Sequence, residues 1–456
     1  MICVPNSQFS ILNSQFFMQR TYSFFLAWLL PVVVLAGLLG QTAVSSAAPD
    51  TANNLPDWGI EQPLTTTANT PFGASRPVIA ASANGPTVTV LFNRRMGNGV
   101  TANDPWFVRS FNNGSSWTAP ASVYSSTLNS AQIDVAYDDS RHTTHAVWRE
   151  GNGLVYAPER VWGTSNITFL STPQNAPGVS TPAIANGRSG LLAVVWSEGD
   201  GANPDIYFNR SANGGTTWQQ SRPVKATPSS SLFPDVAVDE NDVVHVVWEE
   251  HDKTGAPGQP VPGTIYYSYS TATGWSAPVD LSLLAGAGDA RRPTILLTNQ
   301  GVEVAFATET LVNTAVSVQI HHLSCAAQCN TALGWLASPA VTGAVSVSSS
   351  REIIPTLAQY QGCSLAYFHG IRSDVTPALE SIWGGSGCDN WEPLNRPTPP
   401  PAQALSPRLA HQGSQWTYLV YETVGVNNQI AFRRSTFKMF LPFMGCSNRP
   451  DSTCRP

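Results

Sequence analysis

The sequence VHVVWEE at residues 244–250 decides the fold, because similar strings recur along the chain. THAVWRE occupies residues 144–150, LAVVWSE occupies 192–198 and TYLVYET occupies 417–423. Each string is an apolar run that ends in an aromatic residue and a polar step, which is typical of a buried β-strand. Recurrence at intervals of about fifty residues indicates copies of one small structural unit.

Three weaker copies raise the number to seven: VTVLFNRR at 88–95, VEVAFATE at 302–309 and CSLAYFHG at 363–370. We name these strands b. A shorter apolar strand, a, precedes each of them. In six copies strand a begins at a proline, and in the remaining copy it begins at Gln132; the prolines are Pro77, Pro182, Pro234, Pro293, Pro355 and Pro407.

A third strand, c, follows each b strand, and in six copies a fourth segment, d, carries a Trp or Phe. The seventh copy ends at Thr436 without one, but DWGIEQPLTTT at 57–67 has the features of a d strand. If residues 57–66 pair beside 429–435, the ring closes and leaves no free sheet edge. The sequence therefore predicts an all-β, seven-bladed β-propeller of four-stranded blades over residues 57–436, closed by an N-terminal strand. An open solenoid, the alternative, would not need this offset.

Composition agrees with many short strands joined by turns. Charged residues make up 12% of the 456 residues, and Gly and Pro number 35 each, which argues against a helical protein. The formal net charge of −6 disfavours nucleic acid as a partner, and none is expected, since a phosphate backbone favours a basic surface. We expect a monomer.

The N-terminal 48 residues predict a bacterial-type export signal. Arg20 precedes an apolar run at 24–40, and the small residues TAVSSAAP follow, with cleavage expected near Ala47 or Ala48. The alternative is an uncleaved membrane anchor, since the apolar run is nearly long enough to span a bilayer. Residues 49–56 form a linker. The protein is expected to be secreted or at the cell surface, with no other membrane contact.

Cysteine usage also indicates export. Cys3 lies in the leader, and six cysteines fall in the last third of the chain, an even number that predicts disulfides. The repeat places Cys325 and Cys329 in one c–d turn, where they can close a small loop. It places Cys363 and Cys388 at the same face of the sixth copy. Cys446 and Cys454 remain and are expected to pair within the C-terminal tail, residues 437–456. The spacings do not match a zinc site.

Two turns between strands c and d share a pattern. SFNNGSSW at 110–117 and SANGGTTW at 211–218 both read S-x-N-x-G-x-[ST]-W. The pattern resembles the Asp-box of the sialidase and BNR-repeat superfamily, with Asn in the place of Asp. Its residues here are Ser110, Asn112, Gly114, Trp117, Ser211, Asn213, Gly215 and Trp218. The resemblance implies a structural turn on the face opposite the active site.

The catalytic resemblance is much poorer. Sialidases carry an F/Y-R-I-P segment at the first inner strand, and the nearest string here is SRPV at 75–78, which lacks the aromatic residue and the residue between Arg and Pro. Sialidases are also six-bladed, whereas this chain has seven repeats. The resemblance therefore implies a sialidase-like propeller without a recognisable catalytic set, and its arginine triad, Tyr–Glu pair and acidic Asp have no assigned counterparts.

Strand order places the b–c and d–a loops on one face, which we call the top face, opposite the c–d turns. Two positions after the aromatic residue of strand b the copies carry a polar ring: Arg94, Glu150, Glu198, Glu250, Thr308, His369 and Thr423. The catalytic candidates are Glu150, Glu198 and Glu250, because glycoside cleavage uses paired carboxyl groups. The alternatives are a calcium site, for which carboxylates are also suited, and a solvated rim. No other cofactor is expected.

The ligand-binding candidates are Arg76, Arg94, Arg292, His369 and Trp106. Arginines can hold a carboxylate or sulfate group in bidentate fashion. Trp106, Trp162 and Trp383 lie off the repeat pattern and are candidates for stacking on sugars. The leading hypothesis is binding of a glycan or other extracellular ligand at the top face. The alternatives are an exo-acting, sialidase-like glycoside hydrolase using the top-face carboxylates and a protein-interaction scaffold.

Overall fold

The computed structural model describes residues 56–97, 102–172, 178–199, 203–251, 261–312, 315–338, 345–347, 353–372, 379–387, 391, 403–413 and 415–436. All of them belong to one unit, residues 53–456. The predicted export signal and C-terminal tail lie outside the described residues, as does all but the last residue of the predicted linker. Within the described part of the chain, no helix is long and apolar enough to cross a membrane.

Seven antiparallel sheets confirm the predicted seven-bladed propeller. The strands that precede the first repeat are β1 (Asp57–Trp58) and β2 (Gln62–Pro63). Blade 1 comprises β3 (Ala74–Ala81), β4 (Val88–Arg95), β5 (Asn103–Ser110) and β6 (Ala121–Ser122). Blade 2 comprises β7 (Ser130–Asp138), β8 (Thr143–Glu150), β9 (Gly153–Pro158) and β10 (Thr168–Ser171). Blade 3 comprises β11 (Gly178–Asn186), β12 (Leu192–Gly199), β13 (Asp205–Ser211) and β14 (Arg222–Lys225).

The remaining blades follow the same order. Blade 4 comprises β15 (Ser230–Val238), β16 (Val244–His251), β17 (Gly263–Thr271), β18 (Gly274–Trp275) and β19 (Val279–Asp280). Blade 5 comprises β20 (Ala290–Thr298), β21 (Gly301–Val312), β22 (Ala315–Cys325), β23 (Trp335–Ala337) and β24 (Val345–Val347). The described strands of blade 6 are β25 (Thr356–Tyr360), β26 (Cys363–Arg372) and β27 (Leu379–Ser386). Blade 7 contains β28 (Ala404–Gln412), β29 (Trp416–Thr423) and β30 (Gln429–Thr436). Helical turns are α1 (Leu281–Leu284), Glu159–Val161 and Ala332–Gly334.

The N-terminal strands close the ring as predicted. β1 pairs with β30 through Asp57 opposite Thr436 and Trp58 opposite Ser435. β2 continues the pairing, with Gln62 opposite Phe432. Blade 7 therefore takes its outermost strands from the beginning of the chain and its other three from the end.

A tryptophan at the outer part of each blade packs against an aromatic ring of the preceding blade, with ring centroids 4.6–5.7 Å apart. The pairs are Trp117–Phe432, Trp162–Phe107, Trp218–Tyr156, Trp275–Phe208, Trp335–Tyr267, Trp391–His322 and Trp58–Tyr367. The prediction that Trp162 lies off the repeat pattern is wrong, because Trp162 is the blade 2 member of these seven pairs. Each junction between blades thus contains one large aromatic contact.

The two S-x-N-x-G-x-[ST]-W turns have matching hydrogen bonds. Asn112 Oδ1 accepts from the Ser116 amide at 2.8 Å, and the Ser110 hydroxyl accepts from the Gly114 amide at 2.8 Å. The turn at 211–218 repeats both bonds at 2.9 Å. Gly114 and Gly215 have φ of +74° and +79°. The pattern is therefore a compact turn that needs glycine.

The first predicted disulfide is present, since Cys325 and Cys329 are bonded with their Cα atoms 5.7 Å apart. Cys363 is also disulfide-bonded. Its predicted partner Cys388 lies outside the described residues, and so do Cys446 and Cys454. The pairings of these three remain predictions.

Candidate functional site

A cavity of about 640 Å³ opens on the top face, where the innermost strands begin. Each of the seven blades contributes residues to its wall: 72–78, 132–134, 181–183, 233–235, 292–294, 354–356 and 405–408. Since one blade alone supplies only a small part of the wall, the cavity is a product of the closed ring.

In six blades the wall contains a residue with positive φ at the start of strand a. These residues are Arg76, Gln132, Thr181, Phe233, Arg292 and Ser406, with φ between 45° and 54°. A shift in strand register accompanies each of them. Such a bulge re-aims a side chain, and all six of these residues line the cavity. Non-glycine residues adopt this backbone at a cost of about 1–2 kcal/mol each, so the wall is built from strained positions.

In blades 2 and 4, the side chain two residues further along hydrogen-bonds to the inner strand of the next blade. Asp134 Oδ2 accepts the Ile184 amide of blade 3 at 2.8 Å. Asp235 Oδ2 accepts the Ile295 amide of blade 5 at 2.9 Å. Side chains of one blade therefore satisfy backbone donors of the neighbouring inner strand, which would otherwise be an unpaired edge.

The cavity holds charges of both signs. Its cationic side chains are those of Arg76, Arg95, Arg292 and Arg408, and its carboxyl groups are those of Asp134, Asp235 and Glu422. His369 also lines it, together with the aromatic rings of Phe72 and Phe233. The arginine side chains outnumber the carboxyl groups by one, so an anion is favoured over a cation.

Burial changes the titration of the two aspartates in the wall. It raises the pKa of Asp134 to about 7, an effect that the charge of Asp235 reinforces and the amide of Ile184 and the charge of Arg408 oppose. Burial also raises the pKa of Asp235, against the hydrogen bonds from Ile295 and Thr294. The cavity thus contains a carboxyl group that titrates near neutral pH.

Replacing Asp134 by Asn should therefore stabilise the protein at alkaline pH. The folded-state pKa lies above the unfolded value, so the stability contributed by this group is complete below about pH 4 and is lost as the pH rises through about 7. Asn keeps an oxygen for the Ile184 amide but carries no charge. We expect the melting temperature of Asp134→Asn to exceed that of the wild type by about 5 °C at pH 8.

Thermal melts at about pH 4 and about pH 8 check this prediction. The difference between the two proteins should be much smaller at the lower pH. Equal differences at both values would contradict it, because a purely steric effect of the amide would not depend on pH.

Arg292 is anchored by a buried carboxylate of the preceding blade. Glu249, with 0% of its surface exposed, accepts the Arg292 amide at 2.9 Å and lies 3.6 Å from its guanidinium. Burial by itself would raise the pKa of Glu249. The hydrogen bond from His251 and the charge of Arg292 outweigh this effect and lower the pKa. The Arg292 guanidinium stacks over the Phe233 ring at 3.2 Å. These contacts fix one cation at the cavity wall.

Of the predicted ligand-binding residues, Arg76, Arg292 and His369 line the cavity. Arg94 and Trp106 are not among the residues of its wall. They contact each other instead, with the Arg94 guanidinium 4.2 Å from the centre of the Trp106 ring. The side chain of Trp383 lies outside the described residues.

The three candidate catalytic glutamates are not in the cavity wall either. Each accepts the indole N–H of the tryptophan two residues before it: Glu150 from Trp148 at 2.9 Å, Glu198 from Trp196 at 2.6 Å and Glu250 from Trp248 at 2.9 Å. Each also accepts a serine hydroxyl, from Ser130, Ser171 and Ser231 respectively. The W-x-E pattern is therefore a structural pair on one face of strand b.

The predicted polar ring needs one correction. Thr356 lies opposite Tyr367 in the register of blade 6, as Asp134 lies opposite Val147 in blade 2. Phe368 is thus the counterpart of Trp148, and Gly370 rather than His369 is the counterpart of Glu150. His369 instead corresponds to Glu249 and Glu422, and this explains why its side chain faces the cavity.

Several wall residues were not predicted: Gln132, Thr181, Phe233, Ser406, Asp134 and Asp235. Their sequence signal is the start of strand a, where they flank a proline or, in blade 2, Ile133. Among the described residues, no group of three or more His, Cys, Asp or Glu side chains is placed to hold a metal ion.

No protein-family model and no curated protein matches the chain. Similar solved structures include an ulvan lyase from a new polysaccharide lyase family, bound to -[GlcA(1-4)Rha3S]-. It has a TM-score of 0.52 and 12% identity over 79% of this chain and 93% of the lyase. A Hadza microbial sialidase has a TM-score of 0.46 and 12% identity over 83% of this chain and 69% of its own. A Dyadobacter fermentans protein of unknown function has a TM-score of 0.49 and 13% identity over 83% of this chain and 98% of its own.

The similarity to the lyase shows a shared β-propeller fold. Sialidases are also among the similar structures.

Proposed function

We propose that the protein binds an acidic saccharide in the top-face cavity. The observation that carries this proposal is the convergence of four arginines and a histidine on one cavity of about 640 Å³. Cavities of a few hundred Å³ accommodate a small ligand such as a short saccharide. Guanidinium groups present paired donors that match carboxylate and sulfate groups.

The wall also offers partners for hydroxyl groups. Gln132, Thr181, Ser406 and Asn427 line the cavity between the charged residues. Amide and hydroxyl side chains both donate and accept hydrogen bonds, as sugar recognition requires. Arg76 is exposed at the mouth and Arg292 is fixed in the wall, so an acidic group can enter between cations from different blades.

The comparison with solved structures supports this ligand class. The ulvan lyase with the same fold is bound to a saccharide that carries both a uronate and a sulfate group. The Cys325–Cys329 disulfide and the expected export signal support a location outside the cytoplasm, where polysaccharides are available.

The alternatives have weaker support. Hydrolysis by Glu150, Glu198 and Glu250 would require these carboxylates to reach a ligand, and each is held by an indole and a serine of the fold. A protein-interaction scaffold would not require four arginines to converge within a cavity. We therefore place saccharide binding ahead of both.

Removing the exposed cavity arginines tests the proposal. Arg76→Ala and Arg95→Ala should each weaken binding of a uronate-bearing or sulfated oligosaccharide about tenfold or more, because a charge-assisted hydrogen bond contributes about 1.5–3 kcal/mol. Titration calorimetry with acidic and neutral oligosaccharides of the same length measures the effect. Neutral oligosaccharides should bind weakly to all variants.

Two variants outside the cavity wall serve as controls. Arg222→Ala removes an exposed arginine of β14, and Glu198→Gln removes one of the W-x-E carboxylates. Both should bind the acidic oligosaccharide as the wild type does. Equal losses in Arg222→Ala and Arg76→Ala would indicate nonspecific attraction, and the proposed site would be wrong.

A further inference from the structure

The inference concerns the regulation of the cavity and rests on the proposed function. We propose that the cavity takes up a proton at Asp134 when an acidic ligand binds, so that affinity falls as the pH rises through neutrality. The ligand class is a saccharide with a permanently charged group such as a sulfate ester.

The geometry places three ionisable groups at equivalent positions of three inner strands. Asp134 lies on β7, Asp235 on β15 and Arg408 on β28, and all three line the cavity. The charges of Asp235 and Arg408 act on Asp134 with opposite signs. The other ionisable groups of the wall are Arg76, Arg95, Arg292, His369 and Glu422. An anion that enters the cavity is therefore confined with the carboxyl group of Asp134, on which the charge of Asp235 already acts.

Protonation of Asp134 leaves the wall intact. Its Oδ2 atom accepts the Ile184 amide of the next blade at 2.8 Å. A neutral carboxyl group still has an oxygen that accepts a hydrogen bond, so the junction between blades 2 and 3 survives. The charge of the cavity can thus change without a rearrangement of its backbone.

The direction of the coupling follows from the charges. Burial raises the pKa of Asp134 to about 7, so the free cavity holds a mixture of protonated and ionised forms at neutral pH. A bound sulfate adds a negative charge and favours the protonated form further, which raises the pKa in the complex. By linkage, affinity is independent of pH below the free pKa and falls by up to tenfold per pH unit above it.

Calorimetric titration with a sulfated oligosaccharide tests the proposal. A sulfate ester stays ionised across the whole range, so the ligand contributes no proton. For the wild type we expect binding to weaken about tenfold between about pH 6 and about pH 8. Titrations in two buffers of different ionisation enthalpy should show net proton uptake at neutral pH.

Two variants identify the group that takes up the proton. Asp134→Asn keeps an oxygen for the Ile184 amide and should make affinity nearly independent of pH. His369→Gln removes the histidine of the wall and is expected to weaken binding, but the fall in affinity with rising pH should persist. If Asp134→Asn does not fold, the proton count of His369→Gln decides the question, because proton uptake in that variant cannot come from the histidine.

The outcomes separate this inference from the proposed function. Binding of the sulfated ligand without proton uptake would overturn the inference and leave the proposed function standing. Loss of the pH dependence in His369→Gln but not in Asp134→Asn would also overturn it. Absence of binding at every pH would overturn the proposed function as well.

Discussion

Deletion of residues 57–66 is expected to lower the melting temperature of the ring by more than about 10 °C. The deletion removes β1 and β2 and leaves the whole of β30 as an exposed edge. It also removes Trp58, whose indole N–H donates to the Tyr367 hydroxyl at 3.0 Å, and Leu64, which is 5% exposed in the core. Loss of each large core side chain costs about 2–5 kcal/mol, and each kcal/mol shifts the melting temperature of a domain this size by about 2 °C.

Polar contacts to the same segment add to the loss. The Glu61 carboxylate accepts from the Tyr421 hydroxyl and lies 3.5 Å from the Arg433 guanidinium. The Thr65 hydroxyl accepts the Ile430 amide at 2.8 Å. After the deletion these groups of blade 7 lose their partners while they stay largely enclosed, and an unpaired buried polar group is costly.

A chain that begins at residue 56 is the matched control, because it keeps the closing strands and lacks everything before them. Differential scanning calorimetry of both chains measures the effect. A synthetic peptide of residues 57–66 added to the deleted chain should restore part of the loss, since strand pairing and the Trp58 contact can form between separate chains. Identical melting of the two chains would show that the segment does not close the ring.

Ring closure could be predicted from the sequence because it depends on counting. Seven b strands were accompanied by only six d segments, and the missing Trp stood at residue 58. The fold needs each blade to contain an apolar strand and an outer tryptophan, and both can be recognised in the sequence. The tryptophan of blade 2 was nevertheless missed, because Trp162 lies six residues before β10, whereas Trp117 and Trp218 lie four residues before β6 and β14.

The cavity could be predicted only in part. The sequence located the top face and indicated Arg76 and Arg292, but it favoured charged residues at the ends of b strands. In a strand, residues i and i+2 share a face, so a glutamate two positions after a buried tryptophan turns to the indole rather than to the channel. The wall is instead built by bulges at the start of strand a. A bulge shifts the alternation of side chains between the two faces by one residue. The sequence pattern of a strand does not reveal where a bulge occurs.

Blade 6 shows a second reason why the cavity wall was predicted only in part. It carries two successive aromatic residues, Tyr367 and Phe368, and the sequence alone does not say which of them is the repeat position. The strand register settles it in favour of Phe368. A shift of one residue exchanges the two faces of a strand, so this single ambiguity decided whether His369 belonged to the rim or to the cavity.

Replacing Gly215 by Ala is expected to destabilise the protein by about 3 kcal/mol, the second large effect. Gly215 has φ of +79°, which costs about 1 kcal/mol or more for any other residue. Its added Cβ would also overlap the hydroxyl of Tyr156 in the preceding blade. Tyr156 is fully buried and bonded to His145 at 2.7 Å, so it has no free space to retreat into. Overpacking of this kind costs about 1–3 kcal/mol.

Gly286→Ala separates the two contributions. Gly286 has φ of +64°, but nothing lies within 4 Å of an added Cβ, so this variant carries the backbone cost alone and should lose about 1 kcal/mol. In a Tyr156→Ala background, Gly215→Ala should then cost no more than Gly286→Ala, because the residue it crowds is gone. Chemical denaturation of these three variants and of their two parents, the wild type and Tyr156→Ala, gives these differences. Gly215→Ala and Gly286→Ala could lower the free energy of unfolding equally with Tyr156 present. The turn at 211–218 would then move freely and would not hold blade 3 against blade 2. A larger cost that disappears with Tyr156 would show that this glycine holds the two blades in contact, because only a residue without a Cβ lets the tyrosine reach the turn.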